Sequence, residues 1–139
     1  MKILLLSHGN LASEMKETVQ MILGKTENVD TYSLQVGEDT NAYENEIRSY
    51  VTNHQKEGVL IFTDLLGGTP FITSAKVYDS LLEENKDKVR IITGMNLPML
   101  LEVINSVNES SNEEDLSAMA IEAGTRGIVD FIEKRKGNR

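Results

Sequence analysis

The stretch Ile3-Leu4-Leu5-Leu6-Ser7-His8-Gly9-Asn10 joins an unbroken apolar run to an abrupt polar turn. Aliphatic residues without polar alternation are typical of a strand that is buried on both faces, as in a parallel sheet. The first residue after such a strand lies at the carboxyl edge of the sheet, where open α/β folds place their ligands. His8 occupies that position. Taken alone, a histidine in a loop is more often solvated than functional, so its role depends on what the rest of the chain places beside it.

Composition narrows the class of protein before any further motif is considered. The 139 residues suit one compact domain, and an apolar content of 40% is ordinary for a globular chain. There is no cysteine, which excludes disulfides, thiolate catalysis and cysteine-ligated metals. A net charge of -8 disfavours nucleic acid and anionic membrane surfaces as partners. No leader-like segment or membrane-length apolar run stands out, so we expect a cytoplasmic protein without direct membrane insertion.

A helical pattern begins directly after the first strand and runs from about Leu11 to Leu23. Asn10 is its predicted N-cap and Gly24 its C-terminal stop. The further predicted strands are 28–35, 58–64 and 89–94, and the further helices begin near Asn41, at Thr69-Pro70, within Met95–Met99 and after Ser111. This alternation predicts a doubly wound α/β fold, a mainly parallel four-stranded sheet with helices on both faces.

Local signals place the ends of the later helices. Thr69 is the predicted N-cap of the third helix and Pro70 its first residue. Ser111-x-x-Glu114 has the spacing of a capping box for a fifth helix that ends near Gly124. The predicted buried stripe of the third helix consists of Ala75, Tyr78, Leu81 and Leu82.

The C-terminal segment fits two structures. The apolar positions of Gly127–Ile132 tolerate either a helix or an additional β-strand. The basic tail Lys134–Arg139 is expected to fray. The pattern alone leaves the alternative for residues 127–132 open.

Asp64 follows the third strand just as His8 follows the first. If the first strand lies beside the third, the loops after both open at one topological switch point and share a crevice. Gly67, Gly68 and Thr69 then offer consecutive backbone N–H groups at the start of a helix, which suits an anion. A Gly-Gly pair is also compatible with a tight turn that binds nothing, although the anion-binding interpretation is favoured. The predicted site therefore combines an imidazole, a carboxylate and a candidate amide cradle.

These groups favour phosphoryl transfer through a phosphohistidine. A carboxylate that accepts a hydrogen bond from one ring nitrogen fixes the tautomer and leaves the other nitrogen free to attack. The sequence has no G-x-S-x-G elbow, Walker lysine or G-x-G-x-x-G motif, so neither a serine hydrolase nor a nucleotide donor is indicated. His8 and Asp64 are fewer ligands than zinc needs, and no metal or cofactor is predicted. A receiver domain would use Asp64 as its acceptor, but such domains carry acidic residues after the first strand.

The order and spacing of these motifs resemble the enzyme IIA subunit of the bacterial sugar phosphotransferase system (PTS), of the mannose/fructose/sorbose type. The resemblance implies that His8 is the phosphorylated residue, that Asp64 holds its ring, and that the loop Gly67-Gly68-Thr69 receives the phosphoryl oxygens. Residues 1–139 are then expected to form a single domain of this type, acting as a free-standing subunit. The matching segments are Ser7-His8-Gly9, 63–71, 94–100 and 122–127.

The same resemblance implies a mechanism and partners. His8 would accept a phosphoryl group from the phosphohistidine of the carrier protein HPr and pass it to a PTS IIB protein, which feeds a sugar permease. A contact between Asp64 and Nδ1 would make Nε2 the attacking atom. The resemblance also implies a homodimer in which a C-terminal strand of each chain crosses to the partner's sheet. Residues 127–132 are the candidate for that strand.

Two other functions would require sequence features that this chain lacks. The phosphocarrier that serves dihydroxyacetone kinase has a related fold, but its loop after the third strand is Asp-Leu-Gly-Ser rather than Gly-Gly-Thr-Pro-Phe. A regulatory module, in which phosphorylated His8 only reports sugar status, ranks lower because no attached DNA-binding or ATPase domain is evident. We expect His54 to be a solvated residue rather than a second acceptor, and Asn96 to cap the fourth helix.

Overall fold

Four parallel strands form the sheet that the apolar runs predict. The computed structural model describes residues 1–137. The order of the strands in the sheet is β2-β1-β3-β4, and each neighbouring pair is parallel. The predicted four-stranded parallel sheet is therefore confirmed, with the first strand between the second and the third. The strands are β1 (Lys2–His8), β2 (Val29–Leu34), β3 (Val59–Thr63) and β4 (Val89–Ile92).

Helices connect these strands and follow the last one. A 3-10 turn, Gln55–Glu57, joins α2 to β3, and the short α4 is a helix that the sequence pattern did not predict. Within residues 1–137 no helix combines the length and apolar character that a membrane crossing requires. The α-helices are α1 (Leu11–Leu23), α2 (Thr40–His54), α3 (Thr69–Asp79), α4 (Glu83–Lys86), α5 (Leu97–Ser106), α6 (Glu113–Arg126) and α7 (Phe131–Arg135).

The core consists of two layers, one on each face of the sheet. On one face, Ile3 and Leu5 of β1 pack with α1, α5 and α6. On the other face, Leu4 and Leu6 pack with α2 and α3. All four side chains are fully buried, because successive residues of a strand point to opposite faces and both faces are covered. The helices that follow β1 and β3 therefore lie on opposite sides, which opens a crevice at the carboxyl ends of these two strands.

The N-terminus of α1 is capped by a different side chain from the predicted one. Asn10 is the N-cap residue, but its backbone (φ -89°, ψ 6°) is not extended and its side chain does not accept from the helix. Instead, Oδ1 of Asn10 accepts a hydrogen bond from Nε2 of Gln35 at 2.8 Å. Oγ of Ser7 accepts the hydrogen bond from the N–H of Ala12 at 2.8 Å. The predicted side-chain cap at Asn10 was therefore wrong, whereas Gly24 ends the helix in the expected left-handed conformation (φ 74°).

The N-cap of α3 is Gly68 rather than Thr69. Gly68 is extended (φ -75°, ψ 165°) and its carbonyl accepts from the N–H of Ile72 at 2.9 Å, which closes the first turn. Thr69 is thus already helical and Pro70 lies one position further into the helix than predicted. The helix ends at Asp79, so Leu81 and Leu82 of the predicted stripe lie outside it. Its buried residues are instead Pro70, Thr73, Ser74 and Val77.

The predicted capping box of α6 was also displaced. Asn112, not Ser111, is the N-cap, and its side chain accepts from the N–H of Asp115 at 2.8 Å. Oγ of Ser111 accepts instead from the N–H of Asn108 at 2.9 Å, inside the preceding turn. Ser111 and Asn112 are both residue types that can cap a helix. Because the hydroxyl of Ser111 is bonded to the N–H of Asn108, the cap is provided by Asn112.

Gly124 lies within α6 and has a packing role. The helix continues past it to Arg126. A Cβ atom at Gly124 would lie 2.9 Å from Cε of Met99, so the missing side chain allows α5 and α6 to approach closely. This contact, rather than helix termination, accounts for the glycine.

The C-terminal segment contains a helix and no strand in the described chain. Asp130 is the N-cap of α7, and its side chain accepts from the N–H of Glu133 at 3.1 Å. Ile128 and Phe131 are 77% and 64% exposed, so this apolar segment is not packed into the core. Of the tail that is predicted to fray, Lys134 and Arg135 belong to α7, and residues 138 and 139 lie outside the described residues.

Truncation of Leu4 tests how much stability the central strand contributes. We expect Leu4→Ala to lower the free energy of unfolding by about 2–5 kcal/mol, because the fully buried side chain would leave a cavity. Urea denaturation monitored by circular dichroism measures this value. Val36→Ala, at a fully exposed loop position, is the control and should change it by less than about 0.5 kcal/mol. A decrease of less than about 1 kcal/mol in the free energy of unfolding of Leu4→Ala would contradict the importance of this packing.

Candidate functional site

His8 is held twice by a single carboxylate oxygen. Oδ2 of Asp64 lies 2.8 Å from Nδ1 of the His8 ring and accepts a hydrogen bond from the His8 backbone N–H at 2.9 Å. The His8 side chain is 50% exposed, whereas that of Asp64 is only 11% exposed. The carboxylate thus fixes the ring from the protein side and leaves the Nε2 edge towards solvent.

The sheet brings these two residues together. Leu6 of β1 pairs with Thr63 of β3 in parallel register, so both strands end at the same edge. The N–H of Asp64 donates to the carbonyl of Leu6 at 3.2 Å, which extends the pairing beyond β3. On the other side of β1, the N–H of Gly9 donates to the carbonyl of Leu34 at 2.8 Å. The structure therefore brings His8 and Asp64 together, as predicted.

Gly68 lies directly against the His8 ring. A Cβ atom built on Gly68 would lie 2.7 Å from Cε1 of His8 and 3.5 Å from Nε2. Since real Cβ atoms do not approach other atoms to 2.7 Å, only glycine permits the ring to occupy this position. The backbone at the start of α3 is consequently a neighbour of the free ring nitrogen.

Some backbone N–H groups of the predicted anion-binding loop already have a hydrogen-bond acceptor, and others do not. The N–H of Gly68 donates to the carbonyl of Leu65 at 3.2 Å. Among residues 1–137, no protein acceptor is found for the N–H groups of Gly67, Thr69 and Phe71, and Pro70 has no N–H to offer. Free amides at the N-terminus of a helix attract anions through their dipoles. The cradle thus has free N–H donors, with Phe71 as a donor that the sequence did not indicate.

The carboxylate of Asp64 influences the interior of the protein as well as His8. Its Oδ1 atom is buried and has no hydrogen-bond partner among the described residues. Burial, together with the negative charges of Asp64 and nearby glutamates, raises the pKa of the Tyr43 hydroxyl. That hydroxyl donates to the carbonyl of Tyr32 at 2.9 Å, so it does not donate a hydrogen bond to Asp64. Of the two oxygens, Oδ2 makes all the observed contacts of this carboxylate, and both are to His8.

The remaining polar residues lie as follows. His54 ends α2 at the opposite edge of the sheet from His8, with Nδ1 2.8 Å from Oε1 of Glu57. Asn96 caps α5, accepting from the N–H of Met99 at 3.1 Å, which confirms the capping prediction. Within residues 1–137 no three histidine, aspartate or glutamate side chains come together to hold a metal ion.

Exposed apolar side chains lie in the segments that follow His8 and Asp64, a feature that the sequence analysis missed. Leu65 and Leu66 are 60% and 69% exposed in the loop between Asp64 and Gly67, and Leu11 is 45% exposed at the start of α1. Two consecutive leucines in a loop that also carries glycines are the signal that could have revealed them. Apolar residues beside a reactive group are typical of a protein-docking surface.

Comparison with known proteins identifies the family. The model of the EIIA-man family, described as PTS system fructose IIA component, matches residues 2–120. The chain therefore belongs to this family. The general role of this family is phosphoryl relay within the sugar phosphotransferase system.

Individual relatives agree with this assignment. The chain is 34% identical over 111 residues to the sorbose-specific EIIA component of Lacticaseibacillus casei, covering 80% of this chain and 77% of that protein. It is 30% identical over 126 residues to the mannose-specific EIIAB component of Escherichia coli K12, covering 88% of this chain but only 36% of that longer protein. A PTS IIA protein associated with the fucose utilization operon of Streptococcus pneumoniae superposes with a TM-score of 0.81 at 29% identity, covering 96% of this chain and 94% of that one.

Substitution of Gly68 tests the contact that seats the ring. We expect Gly68→Ala to displace the His8 ring and lengthen the Nδ1–Oδ2 distance beyond 2.8 Å, because the new methyl group would overlap Cε1. A crystal structure of the variant measures the distance. Gly37→Ala is the control: its φ of 79° strains an alanine locally, but no atom lies within 4 Å of the added carbon, so the His8 ring should not move. An unmoved ring in Gly68→Ala would contradict the assigned contact.

Proposed function

We propose that His8 is the residue of this EIIA component that carries the phosphoryl group. The observation that supports this proposal most directly is the pair of hydrogen bonds from His8 to Oδ2 of Asp64, which leaves Nε2 free beside Gly68. A neutral imidazole whose Nδ1–H donates to a carboxylate presents an unprotonated Nε2, the form that can attack. In this proposal Asp64 holds the ring, and the loop Gly67-Gly68-Thr69 receives the incoming phosphoryl oxygens through the free N–H groups of Gly67 and Thr69, since that of Gly68 donates to Leu65.

The transfer step follows from this arrangement. The lone pair on Nε2 of His8 attacks the phosphorus atom of the donor's phosphohistidine. The P–N bond of the donor breaks as the new P–N bond forms, and its electron pair returns to the donor imidazole. Nδ1 of His8 keeps its proton throughout, and Asp64 stabilises the positive charge that develops on the ring. The reverse sequence of bond changes passes the group to an acceptor histidine.

The partners that we propose are HPr as the phosphoryl donor and a PTS IIB protein as the acceptor. Leu11, Leu65 and Leu66 beside His8 supply the exposed apolar area that a protein partner would cover. In this proposal residues 1–139 act as one EIIA domain in the cytoplasm, as a phosphotransferase that uses no metal or cofactor. We further propose a homodimer, because the exposed apolar side chains of Ile128 and Phe131 would be covered by a second copy.

Replacement of the two histidines tests the phosphorylated position. We expect wild-type protein mixed with phosphoenolpyruvate, enzyme I and HPr to acquire an acid-labile phosphate, and His8→Ala to acquire none. His54→Ala is the matched control and should be labelled fully, because this residue lies at the opposite edge of the sheet. Phosphate incorporation followed by mass spectrometry measures the result. Labelling of His8→Ala would refute the assignment.

Replacement of Asp64 tests its role in holding the ring. We expect Asp64→Ala to slow phosphoryl transfer from HPr by about 10²–10⁴-fold, the range for loss of a group that orients a histidine and stabilises its charge. Rapid-quench kinetics with phospho-HPr measures the rate. Glu102→Ala, which removes an exposed carboxylate from α5, is the control and should leave the rate unchanged. A full-speed Asp64→Ala variant would remove Asp64 from the mechanism.

A further inference from the structure

We propose that Ser7 is a positioning residue for His8, acting through the turn that joins β1 to α1. This inference rests on the proposed function of His8, but its geometric part concerns the unphosphorylated protein. Ser7 is fully buried at the end of β1 and is one of few polar side chains in the core. A buried hydroxyl needs hydrogen-bond partners, and the partners of Ser7 both belong to the segment that carries His8.

The hydroxyl group of Ser7 bridges the two sides of that turn. Its Oγ–H donates to the carbonyl of Gly9 at 3.2 Å, and its oxygen accepts from the N–H of Ala12 at 2.8 Å. One atom therefore ties the residue after His8 to the first turn of α1. Gly9 has φ 56°, in the left-handed region, so the turn is tight and its carbonyl points back towards the strand.

The other contacts of the turn hold different groups from those that Ser7 holds. The N–H of His8 donates to Asp64, and the N–H of Gly9 donates to the carbonyl of Leu34 at 2.8 Å. Both contacts hold N–H groups. Ser7 holds the Gly9 carbonyl and the N–H of Ala12, because the side chain of Asn10 is turned away to Gln35. The carbonyl of Asn10 is held separately, by the N–H of Glu14 and the hydroxyl of Ser13, both at 3.0 Å. Without the Ser7 hydroxyl, the turn could rotate about Gly9 and carry the His8 ring with it.

A small movement of the ring would matter chemically. The ring lies between Oδ2 of Asp64 and the backbone of Gly68, and the space for it is limited on the Gly68 side. A displacement of about 1 Å can lower a rate by up to about 10²-fold, because the attacking atom is no longer aligned. We therefore expect loss of the hydroxyl to lower the rate about tenfold while leaving Nε2 intact.

The alternative is that Ser7 only caps α1 and stabilises the fold. The two roles differ in what they change. A purely structural cap would lower the melting temperature but leave the His8 ring and the transfer rate of the folded protein unaltered. A positioning residue changes the ring environment in the unphosphorylated protein, where no partner is present.

The experiment compares Ser7→Ala, Ser7→Thr and Ser13→Ala. Threonine keeps the hydroxyl and suits a strand, whereas Ser13→Ala removes a hydroxyl that donates to the carbonyl of Asn10 at 3.0 Å in the same first turn of α1. The ring nitrogens of His8 are observed by ¹⁵N NMR, and transfer from phospho-HPr is timed at a temperature where each variant is folded. If Ser7→Ala does not fold, Ser7→Cys replaces it, because a thiol fills similar space but accepts hydrogen bonds poorly.

We expect Ser7→Ala or Ser7→Cys to shift the His8 ring signals and to slow transfer about tenfold. Ser7→Thr should restore both readouts, and Ser13→Ala should change neither. Combining Ser7→Ala with Asp64→Asn should slow transfer by less than the product of the two single effects, because both act on one ring. Unchanged ring signals and rate in a destabilised Ser7→Ala would overturn the proposal. If His8 is not the phosphoryl carrier, His8→Ala will accept the phosphoryl group as the wild-type protein does. The NMR comparison would still show whether Ser7 positions the His8 ring.

Discussion

The double contact between His8 and Oδ2 of Asp64 depends on the register of two strands. Leu6 pairs with Thr63, so the residues that follow each strand emerge at one edge. A slip of one residue would turn the side chain of His8 to the other face of the sheet, away from Asp64 and Gly68. Such a slip would also exchange the side chains of β1 that face the two layers of the core, and both layers are closely packed. The same strand register therefore determines both the packing of the core and the position of His8 beside Asp64.

The elements that follow long patterns were predictable from the sequence. A run of aliphatic residues identifies a buried parallel strand, and the ends of parallel strands share an edge of the sheet, which is enough to place His8 near Asp64. Helix ends were less predictable, because several neighbouring residues could cap. Tertiary contacts made the choice: Gln35 of the next loop engages Asn10, and Ser7 reaches the helix from the strand. Local rules contain no information about such partners.

Glycines show why a correct position does not reveal a complete role. Gly68 was predicted as an amide donor at the start of a helix, and it also provides the space that the His8 ring occupies. Gly124 was taken for a helix end but provides the contact between α5 and α6. In each case the sequence shows only that a side chain is absent. Which neighbour needs that space is decided by elements far away in the chain. For the same reason, the apolar pattern of residues 127–132 does not show whether the segment forms a helix or a strand.

As the proposed phosphoryl carrier, His8 would have to expose its reactive nitrogen to other proteins and yet hold it in a fixed place. These requirements conflict, because an exposed side chain on a surface loop has few contacts. Here the ring of His8 is half exposed, while Asp64, which holds it, is almost buried and Ser7, which precedes it, is fully buried. In the proposed arrangement the rigidity comes from the protein interior, through the carboxylate of Asp64 and the hydroxyl of Ser7. A buried polar residue next to an exposed reactive one is thus a physical solution to the conflict, since its hydrogen bonds must be satisfied within the turn.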